Sequence, residues 1–195
     1  MNAPFPVSLN LEGRRCVVIG NDVEADQKSE ALHGSGAVVE RIQDGASLND
    51  GQLSGAFFVI STPQDATLSA RLRVLADKER FLLCCIDQPA YGFVSMAAIA
   101  KAGPVRVAIS TAGIAPRVGK LLRNAIQRAL DDTFARFISC QAELKSRNRK
   151  RFPQSSAKRR EAMIATARGF GADVVLHYPR WFDDAERARL PHTME

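Results

Sequence analysis

The residues with the plainest chemical meaning lie in Arg15-Cys16-Val17-Val18-Ile19-Gly20-Asn21-Asp22-Val23-Glu24-Ala25. A β-branched apolar run stops at a glycine, and a helix-like pattern follows. That is the strand–turn–helix arrangement in which backbone N–H groups at a helix N-terminus meet the pyrophosphate of a dinucleotide. The full fingerprint reads Gly-x-Gly-x-x-Gly; here Gly20 stands first, and Asp22 and Ala25 fill the other two places. Two more polar residues close apolar runs. Asp44 follows the second, where such a site sets an acid against the adenosine ribose hydroxyls and repels a 2′-phosphate, favouring NAD over NADP. Glu40 lies earlier and points off the strand's face. Thr62 closes the third run, in reach of the nicotinamide half. Asp44 before Gly45 is equally well explained as a turn residue.

Other reactive side chains are weighed the same way. Asp87, in Asp87-Gln88-Pro89, ends a fourth apolar run and reads by position alone as a turn or cap carboxylate. Cys16, Cys84 and Cys85 sit in apolar runs, where a thiol packs as a small hydrophobe. With Cys140 they form neither a disulfide framework nor a zinc ribbon, which points to a reducing cytoplasm. His33, His177 and His192 share no metal-ligand spacing, so no metal site is expected. The segment from Lys145 to Arg160 holds eight Lys/Arg and no acid. It can meet a polyanion or serve as a solvated face. A nucleic-acid role would call for interleaved aromatics, and the segment has only Phe152.

The elements that must position these residues alternate. Strands are expected at 16–19, 37–42, 56–60, 81–86 and 105–109, with helices at 25–32 and 66–78 between them. Several strands are apolar on both faces, which indicates a Rossmann-like doubly wound parallel sheet of the α/β class. Ligands then bind beyond the C-terminal strand ends, the rim that carries Gly20, Asp44, Thr62, Asp87 and Thr111. After Pro116 the pattern is helical, with Leu121, Leu122, Ile126, Leu130, Phe134 and Phe137 as an apolar stripe. The expected division is 1–115 for the dinucleotide-binding sheet and 116–195 for a helical, basic region. No run is long and apolar enough to span a bilayer, and the N-terminus lacks an export pattern. A net charge of +6 suits an acidic partner.

Several of these features, in this order, resemble the precorrin-2 dehydrogenase family, which also forms the N-terminal portion of siroheme synthases. The carrying residues are Gly20 to Ala25 with Lys28, Asp87-Gln88-Pro89, and Ser110-Thr111-Ala112-Gly113-Ile114-Ala115-Pro116 followed by Leu121-Leu122-Arg123. The resemblance runs from about residue 6 to 170. Asn21 and Asp22 stand where the family usually has glycine, and Ala97 replaces a common proline. The alignment preferred here deletes one loop residue and equates Asp22-Val23 with the family's Asp-Val.

The resemblance implies oxidation of precorrin-2 to sirohydrochlorin with NAD as hydride acceptor, and in some members insertion of ferrous iron. It implies a cofactor loop of Gly20, Asn21, Asp22, Val23 and Glu24, with Asp44 and Thr62 beside it. Asp87 is implied as the base. Thr111, Gly113, Arg147, Arg149 and Lys150 are the expected substrate contacts, the cations facing the tetrapyrrole's carboxylates. The helical region is implied as a homodimer interface. No membrane or nucleic-acid partner is expected, and no uroporphyrinogen methylation.

Overall fold

A computed structural model describes residues 5–183. The chain divides into two compact units, Met1–Asp132 and Thr133–Glu195. In the first, β1 (Arg15–Ile19), β2 (Val38–Ile42), β3 (Phe58–Ser61) and β4 (Leu82–Cys85) form a parallel sheet in the order β2-β1-β3-β4. The central strands β1 and β3 are buried on both faces because each face carries its own apolar layer.

On one face Cys16, Val18, Phe58 and Ile60 pack with Ala25 and Leu32 of α1 (Val23–His33). On the other, Val17, Ile19, Val59 and Leu83 pack with Leu68, Leu72 and Leu75 of α2 (Ala66–Glu79). The spacing of those three leucines makes one helical stripe. Asp65 starts that helix by accepting from the N–H groups of Thr67 and Leu68, and Arg80 ends it in the left-handed conformation. Helices on opposite faces of a parallel sheet are the doubly wound arrangement expected. The β2–β3 crossover has no α-helix; two short 3-10 turns, Gly45–Ser47 and Asp50–Leu53, bury Leu48 and Leu53 instead.

The expected fifth parallel strand is a correction. Residues 105–109 form β6 (Val105–Ile109), which pairs antiparallel with β5 (Ala98–Ala102), an element the sequence reading missed. This hairpin is a separate two-stranded sheet. The alternating, half-exposed side chains of Val105 to Ile109 suit a strand covered on one face only, unlike β3 and β4, which are buried on both. The edge of β4 is meanwhile taken by its own chain: the N–H groups of Phe93 and Val94 both donate to the Leu83 carbonyl. Thr111 therefore does not lie on the parallel sheet's rim.

The hairpin packs on α3 (Pro116–Ala129). The Gln127 side-chain amide bridges the edge of β5, donating to Lys101 O at 3.0 Å and accepting from Lys101 N at 2.9 Å. This contact keeps α3 with the first unit, so the compact division falls after Asp132, not at the expected 115. The apolar stripe is also interrupted, because α3 stops at Leu130 and Phe134 and Phe137 belong to the next helix.

The second unit contains α4 (Asp132–Arg151) and α5 (Ser156–Ala167). Ser155 caps α5, and Arg159 donates to the carbonyls of Phe152 and Pro153 in the turn between the helices. Gln141 and Thr166 exchange hydrogen bonds across the pair, and Phe137 stacks on Phe170 at 5.1 Å. None of its described residues is buried. Among the described residues, no helix is long and apolar enough to cross a membrane.

Candidate functional site

The parallel register aligns Ile19 with Ile42 on one side and with Ser61 on the other, and Ser61 with Cys85. The hydrogen-bond ladder continues one step past the strands: Gly20 N donates to Ile42 O, Thr62 N to Ile19 O and Ile86 N to Ser61 O. Gly20, Thr62 and Ile86 thus stand in one row at the C-terminal rim, with Asp87 next. Between β1 and β3 the strand order reverses direction. That switch point is where open α/β sheets form a ligand crevice.

Gly20 must be glycine. Its φ is +133°, and a side chain there would collide with the Thr62 hydroxyl. Its carbonyl accepts from Arg41 Nε at 2.6 Å, and Arg41 also pairs with Asp26 at 3.0 Å. Asp22 caps α1: Oδ1 accepts from Ala25 N at 2.7 Å, and Oδ2 accepts from the Thr62 hydroxyl at 2.6 Å. The Thr62 hydroxyl, then the Ala25 N–H, hold the Asp22 carboxyl below the usual carboxylate range. Ala25 is wholly buried against the sheet. That is the packing role of the fingerprint's third glycine, so Asp22 occupies the second place and the deleted-residue alignment is not needed.

The other expected cofactor residues are open to solvent or engaged with the chain itself. Asn21 and Val23 are exposed, and Glu24 pairs with Lys28 one turn on at 3.2 Å. Asp44 caps the first 3-10 turn, Oδ1 accepting from Ala46 N, which realises its structural reading. Glu40 turns to Arg15 at 2.6 Å. The strand–turn–helix fits a dinucleotide in its switch-point crevice and in a Gly20 backbone that leaves no space for a side chain. The misfit is the Asp22 carboxylate.

Asp87 has a left-handed backbone, φ +58°, unusual outside glycine. Its Oδ2 accepts from Gln64 Nε2 at 3.2 Å, while Gln88 accepts from the buried Ser69 hydroxyl on α2. The pair fixes the turn on the rim, a constraint of the kind that clusters at functional sites.

Thr111 and Gly113 lie in the turn from β6 to α3, where the Thr111 methyl packs over Gly119 and Gly113 has φ +78°. In the second unit a groove of about 270 Å³ is lined by Lys145, Asn148, Arg149, Arg159, Arg160 and Met163. Of the three cations expected to bind substrate, only Arg149 lines it. Arg147 pairs with Glu143, and Lys150 is a third of a helical turn away from Arg149. Lys145, Arg159 and Arg160, which also line the groove, belong to the same basic segment.

Among the described residues, no group of three His, Cys, Asp or Glu could hold a metal ion. His33 and His177 are exposed, and His192 lies outside the described residues. The cysteines are free: Cys16, Cys84 and Cys85 are buried, Cys140 is exposed, and burial pushes the Cys84 thiol up to about 11.

Residues 7–98 match the family described as "Putative NAD(P)-binding". Siroheme synthase of Xylella fastidiosa (strain M12) is 29% identical over 179 residues, covering 82% of this chain and 37% of that protein. Siroheme synthase of Nitrosococcus oceani is 26% identical over 173 residues, with 80% and 37% covered. The chain is thus similar to siroheme synthases over about four fifths of its own length. It spans little more than a third of the length of these curated relatives. This chain shares its fold with a solved structure, "SirC, precorrin-2 dehydrogenase", at TM-score 0.67 and 17% identity over 83% of this chain and 88% of that one.

Proposed function

We propose that this chain is an NAD-dependent precorrin-2 dehydrogenase of siroheme biosynthesis, acting in a reducing cytoplasm. The observation that carries the reading is the rim itself: a glycine-tight switch-point crevice at Gly20 and Thr62, with the constrained carboxylate of Asp87 in the same row. The relatives' shared name, siroheme synthase, and the dinucleotide-binding match over the sheet support it.

When bound, NAD supplies the hydride acceptor. The backbone of Gly20 to Glu24 would hold its pyrophosphate, Asp44 its adenosine ribose and Thr62 its nicotinamide half. Oxidation of precorrin-2 to sirohydrochlorin removes a hydride and a proton. Asp87 is the residue we assign to take the proton, since a base must reach it within hydrogen-bond range. Thr111 and Gly113 are proposed substrate contacts. The groove with Arg149 and Arg160 is the proposed seat for substrate carboxylates, which accept charge-assisted hydrogen bonds from guanidinium groups. A second copy of the chain is the proposed cover for the helical unit, which buries no described residue of its own.

A second reading keeps only ferrous iron insertion into sirohydrochlorin, with iron as a substrate. The Asp22 carboxylate at the second glycine place favours it. Purified protein incubated with precorrin-2 and NAD separates the two. The dehydrogenase reading expects NADH and sirohydrochlorin absorbance to rise together. Absence of NADH formation, with iron insertion retained, would reverse the ranking.

A further inference from the structure

The fingerprint keeps its second position as glycine so that main chain can approach a pyrophosphate. This chain puts a carboxylate there and ties it down at both oxygens. Oδ1 takes the Ala25 N–H of the first turn of α1, and Oδ2 takes the Thr62 hydroxyl across the switch point. The Thr62 hydroxyl is in turn set against Gly20, which has no side chain to push it away. Gly20, Asp22 and Thr62 therefore make a hydrogen-bonded cluster at the turn, with Asp22 open to solvent, and the α1 N–H that Asp22 occupies is a donor an entering phosphate would use. The cation beside the loop, Arg41, favours the Asp22 charge through space without pairing with it. Arg41 spends its guanidinium on the Gly20 carbonyl and Asp26, and no ion pair to Asp22 exists among the described residues. A phosphate and this carboxylate are like charges directed at one set of donors.

We infer that Asp22 is an internal counter-anion that sets the chain's dinucleotide affinity. Its carboxylate holds the diphosphate position in the free protein and must leave the Thr62 hydroxyl and the α1 N-terminus before a diphosphate can enter. The ligand class is any nucleotide that presents a diphosphate, such as NADH or ADP-ribose. A nucleoside without phosphate is indifferent to it. This rests on the dinucleotide reading above.

Asp22→Asn tests it, because the amide keeps the shape and a capping oxygen but removes the charge. The measurements are NADH fluorescence titration and calorimetric titration of ADP-ribose and adenosine on both proteins, with a thermal melt showing that each is folded. We expect NADH and ADP-ribose to bind roughly tenfold tighter to the variant, and adenosine equally to both. Equal, measurable NADH affinities would overturn the inference and leave the dinucleotide site standing. A gain for adenosine as large as for NADH would also overturn it, since a charge facing phosphate cannot act on a nucleoside. If neither folded protein binds NADH, the dinucleotide site falls and the inference with it. Should the Asn variant lack a melting transition, Asp22→Ser keeps an N-cap without charge and carries the same expectations.

Discussion

The two units solve stability differently. In the sheet unit Val17, Ile19, Val59, Ile60, Leu72 and Leu83 are wholly buried, and the strand ends that carry the rim rest on that packing. In the helical unit no described residue is buried, and order comes from hydrogen bonds such as Gln141–Thr166 and from one stacked aromatic pair. The contrast teaches where rigidity is available. A group that must hold a reacting atom belongs on the sheet, and one that gathers a large, flexible polyanion can sit on solvated helices.

That division of labour can be broken first at Asp87. Asp87→Ala should lower kcat by about 10²- to 10⁴-fold, the range for losing a general base. NADH affinity should stay as in the wild type; a fall in affinity would mean that Asp87 holds cofactor and is not the base.

The packing contrast is next. Leu72→Ala, in the centre of the α2 layer, should cost about 2–5 kcal/mol in urea denaturation. Ile164→Ala on α5 should stay within about 0.5 kcal/mol. Comparable losses would show that the helical unit owns a core after all.

Substrate affinity is the share we propose for the helical unit. Arg149→Glu should raise KM for the tetrapyrrole about tenfold with kcat little changed, the scale of one charge-assisted hydrogen bond. Lys150→Glu, off the groove, should change KM less than about twofold by the same reasoning. Equal shifts would make the basic helix a diffuse attractor with no defined groove.

Two smaller effects sharpen the picture. The Asp22 carboxyl titrates lower in the folded chain than its ordinary 3.8, so its stabilisation is complete above that value. It is lost as pH falls through the lower, folded one. Below about pH 4 the wild type should lose melting temperature more steeply than Asp22→Asn. An identical acid limb in the two proteins would mean the Thr62 contact does not form in solution. In the native protein a thiol reagent should modify Cys140 and spare Cys16, Cys84 and Cys85, with all four reacting in denaturant. Native modification of Cys84 would argue that the sheet opens readily.

The four parallel strands were legible because β1, β3 and β4 are short apolar runs ended by Gly20, Thr62-Pro63 and Asp87, and β2 is a β-branched run ended by Asp44-Gly45. The leucines of α2 mark a helix with one apolar side, and the right-handed crossover decides which face of the sheet it covers. β5 was not legible: Ala98-Ile99-Ala100-Lys101-Ala102 is alanine-rich, and alanine favours helix. Its partner β6 carried a usable signal in its alternation, which a strand buried on both faces does not show. At the site, Gly20 and Thr62 were read correctly as neighbours on the rim. Asp22 was not, since its type fits both a cap and a loop acid, and only the positions of Ala25 and Thr62 decide between them. Lys150 was grouped with Arg149 because a charge run in one dimension hides which side of a helix each residue takes.

The edge of β4 carries a last consequence. A sheet edge with free N–H and C=O groups is a template on which other chains can add strands and aggregate. Here Phe93 and Val94 fold back onto the Leu83 carbonyl before the hairpin begins, so the middle of that edge is taken by the chain itself. At the opposite edge, β2 presents Glu40 and Arg41, already engaged by Arg15 and Asp26, a charged border that discourages pairing with a neighbour. The fold thus guards both flanks of its sheet against intermolecular strand addition, and it leaves the hairpin free to be organised by α3.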